Sequence, residues 1–202
     1  VTLTIDDKGR RGTRLLDKQI TGKIASVEDE ALSEEFMAHF ADADREVRAY
    51  YDRTIGTFTE TIYTRDCFFG SSPFNDFIHK MQLSLTGAQV SFTAPLSLNA
   101  KINKGELHVS DMFNLYRFEN KLLTIMMTGE EIRRHLEMSY ASWVTTMNNA
   151  DDHIIRMKTT TEGGKTRHSF ECLTFNFDSA AGIDYTVDVT KPEGSRVSIL
   201  QM

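Results

Sequence analysis

The chain has 202 residues, with 23 Lys+Arg against 29 Asp+Glu and a formal charge of −6 at pH 7. At this length, 40% hydrophobic residues and 13 Phe can bury one sizeable core, and they exclude a disordered coil. The apolar runs are too short to span a membrane. An acidic chain without a Lys/Arg run also lacks the cation cluster that grips a nucleic-acid backbone, so neither partner is expected.

Val1-Thr2-Leu3-Thr4-Ile5-Asp6 alternates apolar and polar residues and reads as a strand. A turn at Asp7-Lys8-Gly9 separates it from a second strand segment within Gly12 to Lys23. From Ser26 the period changes to that of a helix, with Leu32, Phe36, Phe40, Val47, Tyr50 and Tyr51 on one stripe and charges opposite. This reads as a connecting helix. Thr57 to Thr64 is β-branched and alternating, a strand. Ser72-Pro73 starts a helix, because the Ser oxygen can cap and Pro at the first helical position loses no needed donor. Phe74, Phe77, Ile78, Met81 and Leu85 share its apolar face, and Gly87 ends it. Gln89 to Thr93 reads as a buried strand, and Ser110-Asp111 opens a short helix through Tyr116.

Lys121 to Thr128 reads as the next strand. Thr128 and Glu131 have capping-box spacing and lead into a helix through Ile132, Leu136 and Tyr140. The polar stretch Asn148 to Asp152 is a loop. The remainder reads as β: His153 to Thr161, a Glu162–Lys165 turn, His168–Phe177, Tyr185–Val189 and Arg196–Leu200. The whole is α+β, expected as layered mixed sheets with flanking helices. Phe68, Phe69, Phe74, Phe77, Phe175 and Phe177 are core residues by default.

Chemistry-bearing patterns are sparse. The six histidines have no i, i+3 or i+4 partner and no Cys at finger spacing, so each reads as a surface or satisfied polar residue. Asp151-Asp152-His153 reads as solvated loop rather than a cation site. There is no phosphate-cradling Gly-rich loop and no Gly-flanked nucleophilic Ser. Cys67 and Cys172 can pair in an oxidising compartment or stay as buried thiols, the second reading being preferred. One constellation stands out. Tyr116-Arg117-Phe118-Glu119-Asn120 lies where a short helix hands over to a strand, and an aromatic two residues from an amide can stack on a purine and read its edge. From spacing alone, Phe118 as core and Asn120 as a turn former is the stronger reading.

The ordered run Ile62–Phe74, Phe77-Ile78, Gly87-Ala88, Ala94-Pro95-Leu96, Gly105-Glu106-Leu107, Asp111–Tyr116, Phe118-Glu119-Asn120 and Thr128–Ile132 resembles the C-terminal domain of the 5'-nucleotidase family. It continues through Leu136–Tyr140, Gly182–Asp188 and Lys191–Val197, so the likeness covers about residues 57–200. It is closest to the branch of 2',3'-cyclic-nucleotide 2'-phosphodiesterase/3'-nucleotidases.

The resemblance implies trailing strands of a metallophosphatase domain at 1–24 and a linker helix at 25–56. It implies a 5'-nucleotidase C-terminal-type domain, lacking its last part, at 57–202. Family members hold two divalent metal ions in the phosphatase domain, whose Asp-x-His and Asn-His-Asp/Glu motifs have no counterpart here. No metal ligand, cofactor or catalytic residue is therefore expected in this chain. Phe118 matches the first base-stacking aromatic and Asn120 the amide beside it. Asn99 stands where the family's Gly-Gly-Ile-Arg signature places an Arg, so Asn99 or Arg65 is the candidate for sugar or phosphate contact. The second stacking aromatic normally follows the strand that ends near Leu200, and Phe175-Asn176-Phe177 lies a strand too early to be it.

The function implied is nucleotide recognition, positioning a nucleoside or nucleotide for metal-dependent phosphoester hydrolysis by a separate phosphatase domain or subunit. The alternative is a non-catalytic interaction module that docks on a separate metallophosphatase without binding nucleotide. By resemblance alone, the protein is expected to be exported or periplasmic.

Overall fold

The computed structural model describes residues 2–5 and 20–201. It divides into two units, Val1–Arg48 and Ala49–Met202. In the first, β1 (Thr2–Ile5) pairs antiparallel with β2 (Ile20–Lys23), in register from Thr2↔Lys23 to Ile5↔Ile20. The expected turn at Asp7–Gly9 and the start of the second strand segment lie outside the described residues. α1 (Glu34–Tyr51) crosses the division between the units. It starts later than its apolar stripe does, because Ser33 accepts the Phe36 N–H on its hydroxyl and so acts as the cap. Glu34 and Glu35 then complement the positive end of the helix dipole. No residue of α1 is buried.

The second unit opens with β3 (Thr54–Phe58) and β4 (Ile62–Tyr63). The expected single strand over 57–64 is broken by a bend at Thr59-Glu60, where the Thr61 hydroxyl accepts the Lys104 N–H. A 3-10 turn at Thr64–Phe68 leads to α2 (Pro73–Thr86). α2 has the expected ends: Ser72 caps through the Asn75 N–H at 3.3 Å, and Gly87 takes the left-handed backbone at φ 67°. β5 (Ser91–Thr93), β6 (Lys101–Ile102) and β7 (Gly105–His108) come next, then a 3-10 turn and α3 (Met112–Leu115).

α4 (Gly129–Trp143) carries a full capping box, Thr128 accepting from the Glu131 N–H while Glu131 accepts from the Thr128 N–H. The chain ends in β8 (Met157–Glu162), β9 (Lys165–Phe170), β10 (Ser179–Ala181), β11 (Asp184–Val187) and β12 (Val197–Gln201).

The architecture is α+β, and its sheets are small antiparallel pairs: β3 with β7, β4 with β6, β5 with β10, β8 with β9 and β11 with β12. The hairpin β8–β9 turns on Gly163 and Gly164, both at positive φ, as a two-residue turn matched to strand twist requires. Gly182 has a tighter constraint. A Cβ there would lie 2.0 Å from the Gln89 carbonyl oxygen, so the approach of the β10–β11 connection to β5 admits only glycine.

Three apolar clusters form the core. Ile62, Cys67, Phe74, Ile78, Ile102, Leu107 and Leu115 join α2 and α3 to the β4–β6 pair. Phe68, Trp143, Val144, Ile155 and Phe177 close the C-terminal end of α4. Ile132, Leu136, Ile183 and Val197 seat α4 on β11 and β12.

Several expectations need correction. Lys121–Thr128 is not a strand here: among the described residues no other strand pairs with it, and pairing rather than pattern makes a strand. The strand expected from His153 begins only at Met157, because Ile155 is taken by an isolated bridge to Val144. The strand expected over 168–177 ends at Phe170 and gives way to a 3-10 turn at Thr174–Asn176. That turn aims Phe177 inward, fully buried, and leaves Phe175 exposed; Phe69 is exposed as well. Cys67 and Cys172 are free thiols, Cys67 buried and Cys172 half-buried.

Candidate functional site

The candidate rim is built outward from Leu115, whose burial among Ile102 and Leu107 fixes the end of α3. α3 stops after one turn because Tyr116 adopts extended backbone, φ −153° and ψ 107°, its N–H still closing on the Met112 carbonyl at 2.8 Å. The side chains beyond Leu115 therefore point away from the core. Tyr116 and Phe118 are both exposed and meet edge to face, with centroids 6.4 Å apart and planes at 85°. The chain reverses at Glu119, where the Asn120 N–H donates to the Phe118 carbonyl at 3.0 Å. The Asn120 amide N–H in turn donates to the Tyr116 hydroxyl. Phe113, one turn earlier, stacks on Tyr51 at 5.2 Å with planes 8° apart.

Phe118 is 58% exposed, so it is surface rather than the core residue that spacing alone favours. Its neighbour Asn120 has its amide nitrogen engaged by Tyr116, which leaves the carbonyl oxygen to accept a hydrogen bond from outside. An apolar ring face beside a fixed acceptor is chemically suited to a flat ring bearing a donor edge. Tyr116, the residue that orients the amide, is not among the site residues read from sequence, although it stands in the same constellation.

The other two candidates lie elsewhere on the second unit. Thr64 donates through both its N–H and its hydroxyl to the Ala100 carbonyl, at 3.0 Å each. Arg65 follows Thr64 in the chain and Asn99 precedes Ala100, so both are next in sequence to that contact. Arg65 places its guanidinium over the Tyr63 ring, 5.8 Å from the centroid. Asn99 is exposed in a bend. No hydrogen bond or ring contact joins Arg65 or Asn99 to Phe118 or Asn120 among the described residues.

Two concavities occupy other places. One, of about 410 Å3, is walled by Phe68, Asn75, His79, Trp143, Ser179 and Tyr185 among others. The second, of about 520 Å3, runs between Val90, Phe92 and Ile132 on one side and Leu122–Met127 on the other. Neither is lined by Phe118, Asn120, Asn99 or Arg65.

The Ser–His contacts in the first cavity are structural rather than nucleophilic. Ser91 donates to Gln82 at 2.5 Å, so its oxygen must accept from His79 Nδ1–H at 3.0 Å. Ser179 sits 3.3 Å from His79 Nε2 and accepts from the Asn75 amide at 3.2 Å. Burial pulls His79 below the ordinary imidazole range, so the ring is neutral. Its carboxylate neighbours Asp76 and Asp178 oppose that shift without overcoming it. Tyr140 and Tyr185 share a hydroxyl contact of 3.0 Å, and burial pushes the Tyr140 phenol far up, so it too stays neutral. Burial likewise raises Cys67 despite its contact with Ser72, leaving a thiol rather than a reactive thiolate.

No three His, Cys, Asp or Glu side chains come together as a metal-holding group among the described residues. Among the same residues, no helix is long and apolar enough to cross a membrane.

Residues 54–202 match the family model described as 5'-nucleotidase, C-terminal domain. A curated relative, the trifunctional nucleotide phosphoesterase protein YfkN of Bacillus subtilis (strain 168), is 22% identical over 175 residues; the alignment covers 76% of this chain and 12% of that protein. A solved structure of a candidate 5'-nucleotidase from Staphylococcus aureus, in complex with alpha-ketoglutarate, superposes with a TM-score of 0.64 at 19% identity. That superposition covers 98% of this chain and 36% of the other, and it carries the likeness of fold. The chain thus spans a minor part of the length of both relatives.

Proposed function

This chain belongs to the 5'-nucleotidase C-terminal domain family, and from that premise we propose that it is a nucleotide-recognition domain. It holds a nucleoside or nucleotide so that a separate metal-dependent phosphatase domain or subunit can hydrolyse the phosphoester. The observation that carries this reading is the exposed Phe118 ring beside an Asn120 amide oriented by Tyr116. Phe118 stacks on the base, the Asn120 carbonyl accepts from its edge, and Arg65 or Asn99 contacts sugar or phosphate. The same reading places the protein outside the cytoplasm, in the periplasm or at the cell surface, which cell fractionation checks.

Calorimetric titration with adenosine and with 3'-AMP tests the reading. Saturable binding, tighter for the nucleotide, is the expected result. Phe118→Ala should cost about 1–3 kcal/mol of affinity, the usual worth of one base-stacking aromatic. Unchanged affinity in that variant would sink the stacking role.

A second reading has its own observation in favour. Phe118–Asn120 lies on an open rim outside both cavities, which suits a protein surface as well as a base. In this reading the domain docks on a separate metallophosphatase without binding nucleotide. Absence of heat from a folded sample, together with co-elution with such a phosphatase, would select it.

A further inference from the structure

The cavity of about 410 Å3 between α2, α4 and β10 is lined by two residues whose buried polar groups have no partner among the described residues, Asn75 through Oδ1 and Trp143 through Nε1. Asn75 is 3% exposed and Trp143 2%. The groups around them are already engaged. Ser179 lies within reach of His79 Nε2, a bare acceptor, and of the Thr93 carbonyl, so its hydroxyl proton is committed there. Asn75 therefore presents its NH2 to Ser179, which leaves Oδ1 open. Tyr140 and Tyr185 satisfy each other. Trp143, stacked on Tyr140 and on Phe177, has its indole N–H left to pair.

One open acceptor and one open donor in a single cavity fit a molecule that brings the opposite pair. The walls restrict it further. No Lys or Arg lines the cavity among the described residues, and its exposed rim carries the carboxylates of Asp76 and Asp184, so an anion is disfavoured. Phe68, Val144, Ile154, Val187 and Val189 are apolar, so a polyol would lose more hydration than two hydrogen bonds replace. Phe69, exposed at the rim, offers a ring face. Every lining residue lies between Phe68 and Val189 except Leu200, which belongs to the exposed rim and not to the polar floor.

We infer that this cavity binds an uncharged flat ring with an amide edge, a pyrimidinone or lactam, whose N–H donates to Asn75 Oδ1 and whose carbonyl accepts from the Trp143 indole. The site is separate from Phe118 and Asn120, neither of which lines it. It also selects against the phosphate that the nucleotide reading requires at the rim, so the two readings stand or fall apart.

Trp143 is the sole tryptophan, so its indole N–H gives a single cross-peak in a proton–nitrogen correlation spectrum of the full chain. Uracil, an uncharged cyclic imide, should move that peak saturably with a dissociation constant of about 1 mM. Orotate, the same ring with a carboxylate, should bind at least about tenfold more weakly, and glycerol should leave the peak in place. Asn75→Leu should abolish the response to uracil. Phe69→Ala changes an exposed position and so keeps the fold; it should weaken uracil about fivefold, and it decides the matter if Asn75→Leu does not fold. Phe118→Ala should leave the response as in wild type. A peak that about 20 mM uracil does not move would overturn the proposal and assign the two open groups to water. Equal binding of orotate, a shift with glycerol, unchanged uracil affinity in Phe69→Ala, or loss of the response in Phe118→Ala would overturn it as well.

Discussion

Trp143 and Phe118 are both large apolar side chains at the end of a helical segment, yet the fold uses them in opposite ways. Trp143 stacks on both Tyr140 and Phe177, with centroids 4.8 and 5.4 Å away and each of their planes 4° from its own. Phe68 meets it edge-on at 6.4 Å. Phe118 touches one ring, that of Tyr116, and otherwise faces outward. The difference arises from the course of the chain beyond each helix. After α4, the bridge Val144↔Ile155 and the buried Arg196 draw the chain back over the aromatic stack. After α3, the reversal at Glu119 sends the chain into Lys121–Met127, which no strand among the described residues covers. Burial converts an aromatic into stability, and an uncovered exit leaves it exposed.

Trp143→Ala should produce the largest effect, a loss of about 3–5 kcal/mol from the cavity and the lost contacts. That is a large share of the about 5–15 kcal/mol that holds an ordinary domain together. Urea unfolding should be followed by circular dichroism, because Trp143 is the sole tryptophan. A loss below about 1 kcal/mol would mean that the stack is not the stabilising end of the molecule.

Arg196→Leu is the next probe of the same end. Its buried guanidinium donates to the carbonyls of Val144, Tyr140 and Lys191 and to the Thr146 hydroxyl, so one side chain closes the negative end of α4. Leucine fills the space but leaves buried carbonyls short of donors, at a cost of about 2–3 kcal/mol. Arg196→Lys should not restore it, since an ammonium cannot reproduce the planar fork.

These caps and stacks also show how far the sequence could be read. The ends of α2 and α4 were legible because Ser72-Pro73, Gly87 and the Thr128/Glu131 box act within one turn of themselves. The fate of Lys121–Thr128 was not, since a strand needs a partner that its own residues cannot name. Phe175 and Phe177 look equivalent in the sequence, and the 3-10 turn between strands separates them. Of the site, Phe118 and Asn120 were visible as a pair, whereas the contact that orients Asn120 had to be seen. The cavity around His79 was invisible in the sequence, because its walls come from α2, α4 and β10, and His79 and Ser179 within it are 100 residues apart.

His79 separates the two regions by pH. Its folded pKa lies below the ordinary 6.5, chiefly through burial, so the unfolded chain binds the proton first as pH falls. Stability is therefore fully present above pH 6.5 and declines below it, by at most about 1.4 kcal/mol per pH unit for this one group. His79→Gln should flatten that decline while lowering stability at neutral pH. Nucleoside binding at the Phe118 rim should keep its wild-type pH dependence in the variant. A slope that persists in His79→Gln would assign the titration elsewhere.

Tyr116→Phe is the finest cut. Tyr116 is exposed and the partner of its hydroxyl among the described residues is the Asn120 amide, so stability should stay within about 0.5 kcal/mol of wild type. The ring keeps its edge-to-face contact with Phe118, so the stacking surface survives. What is lost is the fixed orientation of the amide, which must then be ordered by the ligand itself. That should weaken nucleoside binding by about 1 kcal/mol, or about fivefold, while Phe118→Ala weakens it more. Equal affinity for Tyr116→Phe and wild type would mean that the base is held by the ring alone and that Asn120 only shapes the turn. A loss as large as that of Phe118→Ala would make the Tyr116–Asn120 pair, rather than the stacking face, the element that recognises the base.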